Sequence, residues 1–316
     1  MTTTRRHFLQ ASAAAIVAGT STLVPRTSSS IVQAAAPPLA DPNAGKTPLR
    51  LGLILGVDRD PDAALTRVHE LGIPTCQVSV DEFDGAGAAR LRASLDKFGL
   101  EATSLVVGGP GKEVWDFNHG PETIGLVPRS TRAARVAQIK KASDFAKQAG
   151  IPAVQTHCGF IPENPNDPLY KEAIDTMREV ASYCRANGQY FRYETGQETP
   201  ITLIRAIRDV GTDNQGVNFD VANLILYGKA NPVDAIELLG PHIQGMHAKD
   251  GLWPTNPDDL GEEVAIGKGK VDFPKIIERL KALGYRGAIT IERETSGPQQ
   301  MEDVRASKVY LAQLIG

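Results

Sequence analysis

Cysteine is scarce in this sequence. The three cysteines, Cys76, Cys158 and Cys184, stand far apart among 316 residues. The chain has no Cys-x-x-Cys pair to hold a structural zinc ion, and an odd number of cysteines cannot all pair into a disulfide framework. We therefore expect buried thiols that pack as small apolar side chains.

Basic charge is not in excess either. The chain has 34 lysines and arginines against 37 aspartates and glutamates, which gives a formal net charge of −3. Proteins that bind nucleic acid need a basic patch to neutralise phosphates, and the sequence has no basic run of that kind. The composition therefore argues against a nucleic-acid partner, and it leaves assembly into a homo-oligomer open.

Long apolar runs and nucleotide-binding loops are also missing. The apolar stretch ASAAAIVAG near the N-terminus is too short and too rich in small residues to stay in a bilayer as a permanent anchor. The first candidate strand–helix turn, LGVDRDPD, lacks a G-x-G-x-x-G fingerprint, and nothing resembles a P-loop or a nucleophile elbow. These absences argue against a membrane anchor, dinucleotide binding and serine-based hydrolysis.

The first residues carry the features of an export signal. Arg5 and Arg6 stand in TTTRRHFLQ, the mild apolar run follows, and VQAAA offers a cleavage site that ends at Ala36. We predict a twin-arginine signal peptide over residues 1–36 and a Pro-rich linker over residues 37–48. The mature protein is then expected in the periplasm or outside the cell.

From residue 49 onward, short strand-like runs alternate with segments of helical periodicity. Several helical segments end in a glycine just past the last turn, at Gly72, Gly99, Gly150 and Gly284. Strict alternation predicts a parallel sheet, and eight rounds predict an α/β fold closed as a (β/α)8 TIM barrel over residues 49–316. A doubly wound open sheet is the alternative. The eight strand-like runs are LRLGLILGV, TCQVSV, EATSLVV, AVQTHC, YFRYE, GVNFDVAN, IQGMHAKD and AITIERE.

Four of these runs carry polar side chains on one face. Because side chains alternate along a strand, YFRYE places Arg192 and Glu194 opposite Phe191 and Tyr193. The runs AVQTHC, GVNFDVAN and AITIERE follow the same pattern. The apolar face must pack on the helices, so the polar face points into the barrel, where charge is costly unless it is paired or binds a metal.

One charged or imidazole side chain stands near the C-terminal end of each of strands five to eight. These residues are Glu194, Asp220, His247 and Glu292. Barrel enzymes build their sites at this end of the strands, so we expect the four side chains to meet. Three carboxylates and one imidazole make a hard, mainly oxygen donor set, which predicts one divalent ion: Mn²⁺ first, with Mg²⁺ or Co²⁺ as alternatives.

These residues and their surroundings resemble the xylose isomerase-like barrel superfamily, which includes sugar isomerases, ketose 3-epimerases and apurinic-site endonucleases. The resemblance covers residues 49–314. It is carried by Glu194 in YETG, Asp220 in NFDVAN, His247 in MHAKD and Glu292 in TIERE, and by the run AIGKGKVDFPKIIERLKALGYRGAITIE. It implies one divalent metal held by these four side chains. It also implies that Glu194 and Glu292 flank the substrate and move a proton through a metal-stabilised enediolate.

Other residues are candidates for substrate contact. His157 resembles a fourth-strand histidine that often contacts a substrate hydroxyl, and Lys249 shares the inward face of its strand with His247. Asn223 and Trp253 stand where ketose 3-epimerases usually have histidine and arginine, which weakens that specific assignment. The full set of predicted substrate contacts is His157, Asn223, Lys249, Trp253, Trp115 and Glu198.

The stretch FRYETGQETP contains two glutamates, of which strand parity selects Glu194 for the site. A capping box that begins at Thr195 would place Pro200 inside a helix, past the first turn, where it is poorly tolerated. A helix with Thr199 as N-cap and Pro200 in its first turn is the better solution. Glu198 is then expected in a loop at the mouth of the site.

The leading functional hypothesis is therefore a metal-dependent isomerase or epimerase of a small carbohydrate without phosphate. A lyase of the same superfamily is the alternative. It would use the same enolisation to cleave a C-glycoside or a 3-keto-glycoside. A non-catalytic carbohydrate-binding protein is the third hypothesis, although sugar binding alone does not require both Glu194 and Glu292.

Overall fold

Eight parallel strands close into a barrel, as the alternating pattern predicts. The computed structural model describes residues 37–57 and 59–316. Neighbours in the chain are neighbours in the barrel, and the last strand pairs with the first. The predicted (β/α)8 barrel is therefore confirmed. The barrel strands are β1 (Arg50–Gly56), β2 (Thr75–Ser79), β3 (Glu101–Val106), β4 (Ala153–His157), β5 (Tyr190–Glu194), β6 (Gln215–Asp220), β7 (Ile243–Ala248) and β10 (Ala288–Ile291).

Helices connect the strands, and their apolar sides are buried. Gly99 and Gly150 end two of them in the left-handed conformation, with φ of 63° and 73°, and Gly72 and Gly284 follow two others with φ of 62° and 70°. The predicted glycine stops are confirmed, because this conformation strains any residue with a Cβ atom. The helices are α1 (Pro61–Glu70), α2 (Gly85–Phe98), α3 (Gly120–Thr123), α4 (Arg129–Ala149), α5 (Pro168–Ala186), α6 (Pro200–Val210), α7 (Val221–Leu226), α8 (Pro232–Leu239), α9 (Phe273–Ala282) and α10 (Pro298–Ile315), with a 3₁₀ turn at Gly240–His242.

The start of α6 follows the predicted solution. Thr199 is the N-cap, its hydroxyl accepts a hydrogen bond from the backbone N–H of Thr202 at 3.3 Å, and Pro200 is the first helical residue. Proline is well suited to that position, because the first N–H groups of a helix have no partner within the helix. Because α6 begins at Pro200, residues 195–198 belong to the loop that follows β5.

The segment that precedes β1 contacts the N-terminal end of the barrel. The hydroxyl of Tyr190 donates to the carbonyl of Leu39 at 3.3 Å, and the side-chain amide of Asn43 donates to the carbonyl of Gln244 at 3.3 Å. Tyr190 begins β5 and Gln244 lies at the start of β7, so these contacts are on the end of the barrel opposite the predicted site. The predicted signal peptide lies outside the described residues, and the predicted domain boundaries stay predictions.

A long connection follows β7. It forms two short antiparallel strands, β8 (Asp250–Gly251) and β9 (Glu263–Val264), and then a glycine-rich turn. The buried carboxylate of Asp250 accepts hydrogen bonds from the N–H groups of Gly267 and Gly269 at 2.8 and 3.0 Å and of Val271 at 3.1 Å. A Cβ atom on Gly269 would lie 2.1 Å from this carboxylate, so the close approach requires glycine.

The described part of the chain contains no helix that is both long enough and apolar enough to cross a membrane.

Candidate metal centre and active site

The four predicted ligand residues lie together at the C-terminal end of the barrel. Glu194 ends β5, Asp220 ends β6, His247 is the next-to-last residue of β7, and Glu292 follows β10. The strand register brings them to one level: Asp220 pairs with His247, and the backbone N–H of Glu292 donates to the carbonyl of Ala248 at 3.0 Å. The four strands are consecutive in the barrel, so the side chains converge on one centre.

The distances at this centre fit a single small cation. One ligand atom from each of the four residues can be chosen so that all four lie within 4.8 Å of one another. Nδ1 of His247 lies 3.0 Å from a carboxylate oxygen of Glu194, 3.0 Å from one of Glu292 and 3.6 Å from Oδ2 of Asp220. The separations leave room for metal–ligand bonds of about 2.0–2.3 Å to an ion between them.

Several buried ligand atoms at this centre make no hydrogen bond. Oδ2 of Asp220, Nδ1 of His247 and Oε2 of Glu292 are buried and have no hydrogen-bond partner among the described residues. The second oxygen of Asp220 is occupied, because it caps α7 by accepting from the N–H groups of Ala222 and Asn223 at 2.9 and 2.8 Å. Unpartnered buried polar atoms are costly, so their convergence indicates a site for a cation.

The electrostatics of the centre agree with that interpretation. Burial alone would lower the pKa of His247, but the carboxylates of Glu292 and Glu194 outweigh it and raise the pKa well above its usual value. Burial alone would raise the pKa of Glu194, but His157 and His247 lower it to about 2. The negative charge therefore demands a positive counter-charge, which a proton on His247 or a divalent cation supplies. Binding of a divalent cation would displace that proton from His247, and Nδ1 could then bind the cation.

A layer of amide side chains lies beneath the ligands inside the barrel. Nε2 of His247 contacts Oε1 of Gln77 at 2.7 Å, and Nε2 of Gln155 donates to Oε2 of Glu194 at 2.9 Å. Nε2 of Gln77 donates in turn to Oδ1 of Asn218 at 3.0 Å. Sequence reasoning did not single out Gln77. The available signal was an amide in the middle of a short strand, because amides are rare in a parallel sheet that is buried on both faces.

Lys249 and Asn223 lie beside the centre, as the sequence predicts. The ammonium of Lys249 is 2.9 Å from a carboxylate oxygen of Glu294 and donates to Oδ1 of Asn223 at 3.2 Å. It is also 3.5 Å from Oε2 of Glu292 and 3.8 Å from Oδ2 of Asp220. Burial would lower the pKa of Lys249, but Glu292 and Asp220 outweigh it and keep the group charged.

His157 and Trp115 also meet at the centre. Nε2 of His157 lies 3.4 Å from Oε1 of Glu194, and Nδ1 lies 3.2 Å from the side-chain amide of Gln197. The ring of Trp115 packs edge-on against His157, with 5.0 Å between the ring centres. Trp115 is 46% exposed, so it forms part of the outer wall of the site.

The structure buries one of the predicted substrate contacts, Glu198, and leaves another, Trp253, partly exposed. Glu198 was expected at the mouth of the site, but it is buried, with 2% of its surface exposed, because the loop from Thr195 to Glu198 turns inward before α6. Burial raises the pKa of Glu198 to about 8. Trp253 is 38% exposed in the connection after β8, and its ring has no aromatic or hydrogen-bonding contact with other described residues. Neither residue belongs to the ligand cluster, and contact of either with a substrate stays a prediction.

A separate cavity of about 510 Å³ lies over the loops that follow β1 and β2. Its floor is apolar, with Val57, Leu91 and Phe145, and its rim carries the exposed side chains of Arg59 and Arg90. None of the four ligand residues lines it. The chemistry of this protein is assigned to the ligand cluster and not to this cavity, because none of the four residues faces it.

Comparison with known proteins agrees with the fold. A family model described as xylose isomerase-like TIM barrel matches residues 65–313. The crystal structure of a xylose isomerase domain protein from Planctomyces limnophilus has a TM-score of 0.80 and 35% sequence identity, and it covers 84% of this chain and 97% of that chain. The crystal structure of a D-psicose 3-epimerase in the presence of D-fructose has a TM-score of 0.64 and 17% identity, covering 85% of this chain and all of that one, which shows the fold alone.

Curated relatives are more distant. The uncharacterized protein MJ1311 of Methanocaldococcus jannaschii is 28% identical over 52% of this chain, and the match spans only 58% of that protein's length. The L-ribulose-5-phosphate 3-epimerase UlaE of Salmonella paratyphi B is 26% identical over 70% of this chain and 78% of its own. UlaE is thus a sugar-phosphate epimerase by name, whereas MJ1311 is named only as uncharacterized.

Proposed function

The chain belongs to the xylose isomerase-like TIM barrel family, and we propose on that premise that it is a divalent-metal-dependent isomerase or epimerase of a small carbohydrate. The observation that carries the proposal is the presence of two glutamates, Glu194 and Glu292, at one buried centre with Asp220 and His247. A divalent cation there, with Mn²⁺ preferred over Mg²⁺ and Co²⁺, would polarise the carbonyl of a sugar and make the neighbouring C–H bond acidic.

The two glutamates are proposed to move the proton. Glu194 ends β5 and Glu292 follows β10, and β6 and β7 separate these strands in the barrel, so the carboxylates approach the centre from different sides. One carboxylate removes the proton beside the carbonyl. Return of a proton to the neighbouring carbon gives isomerisation, whereas delivery from the opposite face by the second carboxylate gives epimerisation.

We propose that the substrate carries no phosphate. Among the described residues, Lys249 is a cation that contacts the ligand cluster, and its ammonium already contacts Glu294 and Asn223. A phosphate dianion bound there would be repelled by the carboxylates of Glu294 and Glu292. The predicted export also favours a free sugar over a phosphosugar. The relative named L-ribulose-5-phosphate 3-epimerase makes a phosphosugar the alternative to test.

Elimination is the second candidate reaction, and the position of Lys249 favours it. Its ammonium lies 3.5 Å from Oε2 of Glu292, so a positive charge stands beside the proposed base. After proton removal by Glu292, the electron pair can expel a substituent two carbons from the carbonyl, the leaving oxygen can take up the proton that Glu292 removed, and the ammonium of Lys249 stabilises the negative charge that develops. A 3-keto-glycoside has this arrangement. A binding protein without catalysis is the third hypothesis.

The test is proton exchange in deuterated water. The Mn²⁺-loaded protein is incubated with free ketoses, their phosphates and 3-keto-glycosides, and the products are followed by NMR after the metal is removed. Exchange at the carbon beside the carbonyl with a new isomer supports the proposal, and exchange with loss of a substituent supports the lyase. Glu194→Gln and Glu292→Gln should lose exchange, whereas Glu278→Gln on the exposed side of α9 should not. A folded, metal-loaded protein that exchanges no substrate would leave only the binding hypothesis.

We also propose that the protein is exported by the twin-arginine route. The paired Arg5 and Arg6 and the cleavage site at Ala36 support this proposal. Cell fractionation of the native chain against the double variant Arg5→Lys and Arg6→Lys tests it. Equal cytoplasmic retention of both chains would contradict it.

A further inference from the structure

The loop between β3 and α4, residues 107–128, carries Trp115 to the outer wall of the site. The ring of Trp115 packs edge-on against His157, with 5.0 Å between the ring centres, and Nε2 of His157 lies 3.4 Å from Oε1 of Glu194. The short helix α3 is the one helix or strand within this loop. The position of Trp115 beside the site therefore depends on what anchors the rest of the loop.

Arg135 of α4 extends into this loop. The residue is only 2% exposed, although arginine is rarely buried so completely. One terminal nitrogen of the guanidinium donates to the carbonyl of Gly125 at 2.6 Å, and the other donates to the carbonyl of Thr123. The nitrogen that contacts Thr123 also lies 3.5 Å from a carboxylate oxygen of Glu113. One planar group thus joins two stretches of the loop, on either side of Trp115.

Both stretches are connected to the residues next to Trp115. Glu113 precedes Trp115 by two positions, so its contact with Arg135 restrains the backbone on that side. The hydroxyl of Thr123 accepts a hydrogen bond from the backbone N–H of Val114 at 3.1 Å. The end of α3 is therefore attached to the residue just before Trp115, and Arg135 holds both partners of that contact in place.

Two glycines allow the close contacts of this loop. A Cβ atom on Gly109 would lie 2.2 Å from Nε of Arg135, so the backbone there packs directly on the guanidinium. Gly125 has a φ of 74°, and a Cβ atom on it would lie 2.2 Å from the carbonyl carbon of Cys158, the residue that follows β4. The N–H of Leu126 donates to the carbonyl of Cys158 at 2.9 Å. The stretch that Arg135 binds is therefore also fixed against the end of β4.

We infer that Arg135 is a positioning residue, which fixes the loop of residues 107–128 so that Trp115 stays against His157 as a preformed wall of the site. Lysine cannot take its place, because an ammonium lacks the planar fork that serves two carbonyls and a carboxylate together. A sugar that packs its C–H face on Trp115 would then meet a wall that is already in position. That contact with a substrate rests on the proposed function, whereas the order of the loop does not.

The test is the mobility of the Trp115 ring in the full chain. Trp115 and Trp253 are the two tryptophans of the sequence, so Trp253→Phe leaves Trp115 as the single source of tryptophan fluorescence. In this background the fluorescence anisotropy should decay with the rotation of the whole molecule, and Arg135→Lys should add a fast component on the order of nanoseconds. The rate constant for quenching by acrylamide should rise about twofold, because Trp115 is 46% exposed with Arg135 in place.

Arg129→Lys is the matched control, because it changes an exposed arginine of the same helix that pairs with Glu172. It should leave anisotropy and quenching unchanged. Arg135→Met should loosen Trp115 further, and Arg135→Lys decides the test if Arg135→Met fails to fold. A folded Arg135→Lys protein with unchanged anisotropy and quenching would overturn the inference. The comparison needs neither metal nor substrate, so its failure is distinguishable from failure of the proposed function.

Kinetics test whether Arg135 acts through Trp115, once a substrate is known. Arg135→Lys should raise KM by about threefold to tenfold with little change in kcat, because a displaced wall weakens binding of substrate and transition state alike. Trp115→Ala should have a similar effect, and Arg135→Lys should add little to it in the double variant. Additive losses, or a fall in kcat without a change in KM, would overturn the positioning role.

Discussion

Nε2 of His247 lies 2.7 Å from Oε1 of Gln77, although the two residues are 170 positions apart in the chain. Gln77 lies on β2 and His247 on β7, so the contact crosses the interior of the barrel. An amide oxygen only accepts hydrogen bonds, so the ring donates through Nε2 and keeps the lone pair of Nδ1 for the carboxylate side. Gln77 therefore orients the one nitrogen ligand of the centre.

Replacement of Gln77 by leucine should weaken metal binding without unfolding the barrel. The imidazole would lose the acceptor that holds its orientation, and loss of such a partner typically costs about 10–100-fold in metal affinity. Calorimetric titration of the metal-free protein with Mn²⁺ measures the change. Gln148→Leu, which removes an exposed amide from α4, is the control and should bind Mn²⁺ as the native protein does. Equal affinities for all three proteins would show that Gln77 does not orient His247.

Replacement of Asp220 by asparagine should separate the two roles of this residue. The amide oxygen can still cap α7 by accepting from Ala222 and Asn223, so the helix start is retained. The negative ligand atom at the centre is lost. The native protein should gain about 2.7 kcal/mol in unfolding free energy at a Mn²⁺ concentration of about 100 times Kd, and the variant should gain much less under the same conditions.

Urea unfolding with and without Mn²⁺ measures the effect of Asp220→Asn. The control is Asp96→Asn, which removes an exposed carboxylate of α2 paired with Arg92. This control should keep the full stabilisation by Mn²⁺. The same stabilisation in Asp220→Asn would remove Asp220 from the ligand set.

The free energy of unfolding should fall as the pH rises, because the carboxyl group of Glu198 is buried. Burial raises its pKa in the folded state to about 8, against an ordinary value of 4.5. The folded state therefore holds this proton more tightly than the unfolded state does. The stability contributed by the protonated group is fully present below pH 4.5 and is lost as the pH rises to about 8, a change on the order of several kcal/mol.

Glu198→Gln should remove this dependence, because glutamine is neutral at every pH and has nearly the same shape. The urea midpoint of the native protein should fall between about pH 5 and about pH 9 by more than that of the variant. Glu278→Gln, which changes an exposed glutamate of α9, should follow the native curve. Parallel curves for Glu198→Gln and the native protein would show that Glu198 is not held protonated.

Several features of the site could be predicted from local patterns. Strand alternation separates Glu194 from Tyr193 and places it inside the barrel, and one strand–helix unit separates Glu194 from Asp220 and Asp220 from His247. These regularities depend on neighbours in the chain, so they can be read without coordinates. The prediction that Thr199 is the N-cap of α6 is also confirmed, because the geometry of Pro200 restricts where the helix can begin.

The position of Glu198 could not be predicted in this way. Its burial depends on the path of the loop after β5, and that path depends on side chains from other loops, such as Tyr227, which lies close to Gly196. A loop sequence rich in polar residues predicts exposure, and only the packing of several loops together overrides it. Trp253 is 38% exposed in the connection after β8, and its contact with a substrate stays a prediction.

The sequence by itself determined the barrel, the strand ends and the four residues that meet there, because periodicity and repeat length are local properties. Tertiary structure decided the hydrogen bonds that orient those residues, such as the contact of Gln77 with His247 and that of Gln155 with Glu194. Those contacts join residues far apart in the chain and exist only once the barrel is closed. Closure removes water from the interior, and each buried polar group must then find its partner on another strand or loop.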